Sequence, residues 1–181
     1  GLAWTLRHTI PAPGRGALYL RPTLFALDAT LGLRPASRHG FAVIANPCLD
    51  PPWRSIRLWA EPELIRAAAG GLGAVKTAAN YAAGLAGLVR ARERGFDDVL
   101  WLDAAEHRWL AEAGSMNVFA EIDGTLVTPA LDGTLLAGVT RAHLLERAAA
   151  PGLAVVERAV SLDELARAAR QGRLGSVFGT G

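Results

Sequence analysis

The spacing of apolar residues changes period several times along the chain, and those changes predict its elements. After a Pro/Gly-rich opening through residue 16, residues 18–27 (LYLRPTLFAL) alternate as a strand does, with Pro22 marking an edge or a bulge. Short apolar runs at 41–46 and 55–60 read as further strands. Residues 62–69 suggest a turn or two of helix, closed by Gly70-Gly71 and Gly73. A longer helical pattern follows from about Thr77 to Arg94, carried by Tyr81, Leu85 and Leu88 and ended by Gly95.

Strands are predicted at 99–103, 116–122 and 125–128, the last two joined by Asp123-Gly124, the strongest hairpin signal in the chain. A helix over 138–149 stops at Pro151-Gly152, and 153–160 reads as a strand. Ser161-Leu162-Asp163-Glu164 is a capping box that opens a helix to about Arg170, and 176–178 is a last strand. Strands and helices mix without a regular βαβ repeat, which predicts an α+β or irregular α/β domain.

At 181 residues and 51% apolar, the chain is long enough for one cored domain or two small lobes, and its composition excludes a disordered chain or a fibre. Its apolar runs are far short of the ~20 residues of a membrane span. No basic stretch followed by an apolar core opens the chain, so no secretory signal is expected. The lone cysteine, Cys48, fits a reducing, cytoplasmic setting. The only methionine is Met116 and the chain stops just after a β-rich run, so both ends are expected to be cut.

The charge balance holds the most informative residue. Of nineteen Lys+Arg only Lys76 is lysine, leaving 18 arginines scattered over every segment at a net charge of +2. Scatter of that kind argues against nucleic-acid binding. It also singles out Lys76, because only a lysine amine can lose its proton and attack a carbonyl.

Lys76 lies in Gly70-Gly71-Leu72-Gly73-Ala74-Val75-Lys76-Thr77, where Val75 occupies the position that a phosphate loop reserves for glycine. A nucleotide-triphosphate site is therefore rejected, and the glycines are read as a turn presenting Lys76 at a helix start. Glu112, read as lying just before a strand, is followed by the small residues of Ala113-Gly114-Ser115, which leave room for a flat ligand. Leu136-Ala137-Gly138-Val139-Thr140-Arg141 enters a helix, whose free N–H groups and dipole suit an anion. An amine, a niche carboxylate and an anion seat together match pyridoxal phosphate, with its aldehyde, ring nitrogen and phosphate.

The motifs LYLRP, GGLGAVKTAANYAA, DDVLWLDAAE, EAGSMNVF, LVTPALDGTLLAGVTR, VVERAV and VFGTG, in this order, resemble the branched-chain amino acid aminotransferases, which are fold type IV pyridoxal-phosphate enzymes. Ala137 and Ser115 are mild departures, where the family usually has proline and threonine. The resemblance implies the large C-terminal domain of that fold, a mixed β pseudo-barrel with surrounding helices. Residues 1–17 would be an arm from a smaller N-terminal domain and 18–181 the cofactor-binding domain, continuing past Gly181.

By residue, the resemblance implies that Lys76 is the Schiff-base lysine, Glu112 the ring-nitrogen partner and Tyr81 the partner of the phenolic oxygen. Val139 and Thr140 would hold the phosphate. Tyr19 and Arg21 would face the substrate, Arg21 suiting the side-chain carboxylate of glutamate. The reaction implied is amino transfer between leucine, isoleucine or valine and 2-oxoglutarate, in a cytoplasmic homodimer with no metal, membrane or nucleic-acid partner. The alternatives are a D-amino acid aminotransferase, an aminodeoxychorismate lyase, or a non-catalytic fragment. YLRP and GSMN favour the branched-chain group over the other two enzymes.

Overall fold

The computed structural model describes residues 7–49, 54–149 and 152–181. Two compact units divide between Arg54 and Ser55. In the first, the opening arm is turns and bends from residue 7 to 16, followed by strands β1 (Ala17–Ala26) and β2 (His39–Cys48). They pair antiparallel over their whole length, Ala17 opposite Cys48 and Ala26 opposite His39. A two-stranded sheet leaves each strand one unpaired edge, which is where Pro22 is tolerated.

The second unit holds a seven-stranded mixed sheet and three helices. In chain order these are β3 (Leu58–Ala60), α1 (Ala78–Glu93), β4 (Asp98–Leu102), β5 (Leu110–Ala113), β6 (Met116–Ile122), β7 (Thr125–Thr128), α2 (Val139–Ala149), β8 (Val155–Glu157), α3 (Leu162–Arg170) and β9 (Leu174–Thr180). The sheet runs β3-β4-β5-β6-β7-β8, with β9 added on β6, and its outer pairs β3–β4 and β7–β8 are parallel. β6 meets β5 at Met116 and Asn117, β7 at Ala120–Ile122, and β9 from Asn117 to Ile122. A strand has only two edges, so β5 and β7 lie end to end along one of them and the sheet forks there. Among the described residues it does not close, and the expected pseudo-barrel is an open, forked sheet.

Alternation along the strands sorts the core. Leu100 and Leu102 of β4 join Val118, Ala120 and Ile122 of β6 in a cluster with Leu165 and Ala168 of α3. Val99 and Trp101 face the other way, toward Ala91 and Leu88 of α1. Phe119 packs with Leu126 and Ala148 of α2. β6 is thus buried on both faces, which is why it reads as an almost continuous apolar run.

The helices follow their caps. α1 ends as predicted, with Gly95 at φ +81°: its N–H bonds the Arg92 carbonyl and Phe96 N–H the Ala91 carbonyl. Ser161 Oγ accepts the Glu164 N–H at 3.1 Å, but the Glu164 carboxylate holds Arg158 at 2.6 Å, so only half of the capping box forms. Asp123 and Gly124 both take positive φ, as the hairpin requires. Pro151 lies outside the described residues.

Besides the strand expected over 55–60, which shortens to Leu58–Ala60, three local expectations change. Residues 62–69 are bends and turns, not helix. So short a segment cannot sustain a helix alone, and the buried Glu61 carboxylate takes the N–H groups of Glu63 and Leu64 together with Arg90 Nη1. The strand expected over 153–160 shrinks to Val155–Glu157, whose neighbour β7 is only four residues long. Third, β5 is a strand that the sequence reading missed, so Glu112 lies within a strand and not before one.

The loop that brings β5 back beside β4 is organised by Asp103. Burial raises this carboxyl's pKa, but the N–H groups of Trp109, Arg108, Glu106 and Ala105 outweigh it and hold the value at about 2, against the usual 3.8. A lowered folded-state pKa is stabilising above the unfolded value and is lost as pH falls through the folded one. Asp103→Asn should therefore cost roughly 1–2 kcal/mol at neutral pH, discounted for partial exposure. Urea midpoints of parent and variant should converge between about pH 4 and pH 2; a constant difference down to pH 2 would contradict this account.

Candidate active site

Lys76 follows the glycine-rich turn and Tyr81 lies in the first turn of α1. Lys76 Nζ donates to the Tyr81 hydroxyl at 2.8 Å. Asn80 pins the turn from the same helix end, its Nδ2 bonding the Leu72 and Val75 carbonyls at 2.7 and 2.8 Å. Gly73 is required for a different reason: a Cβ there would stand 2.3 Å from the Thr134 carbonyl oxygen, so the backbones of the lysine turn and the 134–138 loop are in direct contact.

Glu112 reaches this place through an irregularity in β5. Leu102 pairs with Leu110 and Leu100 with Ala113, so one residue of β4 faces two of β5, Ala111 and Glu112. Strict alternation from Leu110 would send Glu112 into the core beneath α3. The bulge instead sets it on the Trp101 side of the sheet. Its partner across the next pairing is Asn117, whose Nδ2 donates to the Leu136 carbonyl at 2.9 Å.

The Glu112 side chain is 2% exposed, and each of its oxygens has a partner within the chain. Oε2 lies 2.7 Å from Arg66 Nε, and Oε1 accepts the Leu136 N–H at 2.8 Å. Burial pushes the Glu112 carboxyl above its ordinary pKa, while the Leu136 N–H, Arg66 and Lys76 pull it back. Arg66 also donates through Nη1 to the carbonyls of Thr134 (2.7 Å) and Gly73 (3.3 Å). Sequence reading missed Arg66, one of 18 arginines with no motif to mark it.

Lys76, Tyr81, Glu112 and Arg66 line one cavity of about 230 Å³, walled also by Trp101 and Leu136. Comparable apolar cavities of ~150 Å³ admit a benzene ring, so a single substituted ring is of the right scale. Val139 and Thr140 open α2, three and four residues beyond Leu136, and are not part of that lining. Their N–H groups lie in the first helical turn, where no intrahelical acceptor precedes them. Thr140 Oγ1 is 3.4 Å from the Gly181 carbonyl. Tyr19 and Arg21 lie on β1 in the first unit, with Arg21 Nη2 donating to the Tyr19 hydroxyl at 3.3 Å.

A family model described as amino-transferase class IV matches residues 2–180. The chain belongs to that family. Over 176 residues it is 42% identical to a Bacillus subtilis protein named branched-chain-amino-acid transaminase 1, a match covering 95% of this chain and 49% of the relative. The branched-chain amino acid aminotransferase from Escherichia coli superposes with a TM-score of 0.73 at 27% identity, covering 91% of this chain and 52% of that one. An aminotransferase from Brucella abortus, bound to the cofactor PLP, shares the fold with a TM-score of 0.77 at 24% identity, over 99% of this chain and 61% of that one. The chain spans about half the length of the curated relatives it matches. No helix among its described residues is long and apolar enough to cross a membrane.

The contact between the lysine turn and the 134–138 loop has a direct test. Gly73→Ala must force those backbones apart, at roughly 1–3 kcal/mol. Its melting temperature should fall by several degrees. A melting temperature within a degree of the parent would show that the contact is not needed.

Proposed function

We propose that this chain carries the cofactor-binding part of a pyridoxal-phosphate-dependent transaminase acting on branched-chain amino acids and 2-oxoglutarate. The observation that supports it best is the meeting of the chain's one lysine, a tyrosine hydroxyl and a buried, arginine-paired carboxyl on a single cavity. The donor set suits the cofactor: an amine for its aldehyde, a phenol for its ring hydroxyl and a carboxyl for its ring nitrogen. Val139 and Thr140, at the start of α2, are assigned to the phosphate.

Pyridoxal phosphate, when bound, supplies an aldehyde that takes up amines and a ring that draws electrons from the carbon bearing that amine. Lys76 would have two tasks, holding the group through its aldehyde and carrying the proton taken from the substrate Cα. Tyr81, 2.8 Å from Nζ, orients that amine. Glu112 opposes positive charge at the ring nitrogen, and its burial strengthens the interaction. Tyr19 and Arg21 are assigned to the substrate, Arg21 supplying the cation that a glutamate side chain needs. A cytoplasmic homodimer completes the reading, as the resemblance implies.

Borohydride reduction in the presence of pyridoxal phosphate should add one pyridoxyl mass at Lys76. Lys76→Ala and Lys76→Arg should both abolish it, since neither offers a nucleophilic amine. A label retained after Lys76→Ala would overturn the assignment. In protein that turns over leucine with 2-oxoglutarate, Glu112→Gln should keep the cofactor bound while kcat falls by orders of magnitude more than KM changes. An unchanged kcat would remove Glu112 from the chemistry.

A further inference from the structure

Arg66 meets three separate stretches of chain with one guanidinium: Glu112 Oε2 at 2.7 Å, the Thr134 carbonyl at 2.7 Å and the Gly73 carbonyl at 3.3 Å. Its side chain is 11% exposed, and it lines the same cavity as Lys76. We propose that Arg66 is the positioning residue for the ring-nitrogen contact: it keeps Glu112 charged and aimed while holding the Lys76 turn against the loop that leads into α2. The inference rests on the cofactor reading above.

A carboxyl so far removed from water reverts to its neutral form unless a cation faces it. The titratable and charged groups around this cavity, besides Glu112, are Arg66, Lys76, Tyr81 and Asp98. Asp98 and Tyr81 bring no positive charge. Lys76 must give up its own when it acts as a base. A guanidinium is a permanent cation, so Arg66 supports Glu112 throughout. The aim is fixed as well, because the Leu136 N–H holds the other oxygen at 2.8 Å. An ionised carboxylate offers about four acceptor positions; with two taken, the others remain for a ring N–H.

The test uses the 181-residue chain and the variants R66Q, E112Q and R66Q/E112Q. Carbon-13 NMR of labelled glutamate, with E112Q identifying the signal, gives the Glu112 titration midpoint without cofactor. Pyridoxal phosphate affinity and borohydride labelling at Lys76 give the ligand side. In R66Q the midpoint should rise by about 1–3 pH units, and affinity should weaken about tenfold or more, with Lys76 still labelled at saturation. A purely structural arginine would lower the melting temperature and leave the midpoint in place, which overturns the proposal. If R66Q fails to fold, R66Q/E112Q decides: recovery of folding supports an orphaned Glu112 charge as the cause, and failure to recover overturns it. Absence of label in the parent chain would overturn the cofactor reading itself, while the midpoint comparison would still report on the Arg66–Glu112 pair.

Discussion

A carboxyl group buried to 2% exposure must find its partners inside the protein, and much of the second unit is arranged around that demand at Glu112. Arg66 answers one oxygen and the Leu136 N–H the other. In doing so they tie the bends and glycine turn between β3 and α1 to β5 and to the loop before α2, both distant in sequence. Asn117 adds a further bond from the neighbouring strand to the Leu136 carbonyl. Helix starts and the Lys76 turn are thus placed by polar contacts, while the apolar clusters above and below the sheet supply the bulk of the stability.

The forked sheet explains how one strand can serve two purposes. β6 is anchored on both faces and along both edges, so Asn117 at its start is a fixed point. β5, only four residues long, borrows that rigidity while its bulge frees Glu112 from the alternation that would have buried it among apolar side chains. Trp101 shows the same economy of space: it packs so tightly on α1 that a Cβ at Gly87 would lie 2.4 Å from its ring.

How much of this could be read in the sequence depended on whether the cause was local. α1, α3 and the Asp123-Gly124 hairpin were legible because caps and turn residues act over a few positions. Lys76 stood out as the chain's one lysine behind a glycine turn, whereas Tyr81 was singled out only by the family resemblance. β5 was not read, since Leu-Ala-Glu-Ala has little strand preference, although Gly114-Ser115 between two paired residues was an available hairpin signal. The bulge and Arg66 had no local signature at all. A register shift is set by the partner strand, and an arginine's role is set by carbonyls and a carboxylate brought to it by the fold.

Because Glu112 is neutralised from within the chain, the cavity is electrically whole before anything enters it. Folding need not wait for an incoming ligand to cancel a stranded charge, as it must where a site's ionised groups face only one another. Whatever occupies the cavity then adds to stability by mass action, in proportion to its concentration, instead of being a structural prerequisite. Loss of an occupant likewise returns the protein to a state with its buried ions already matched, so the polypeptide can outlast many rounds of loading and release.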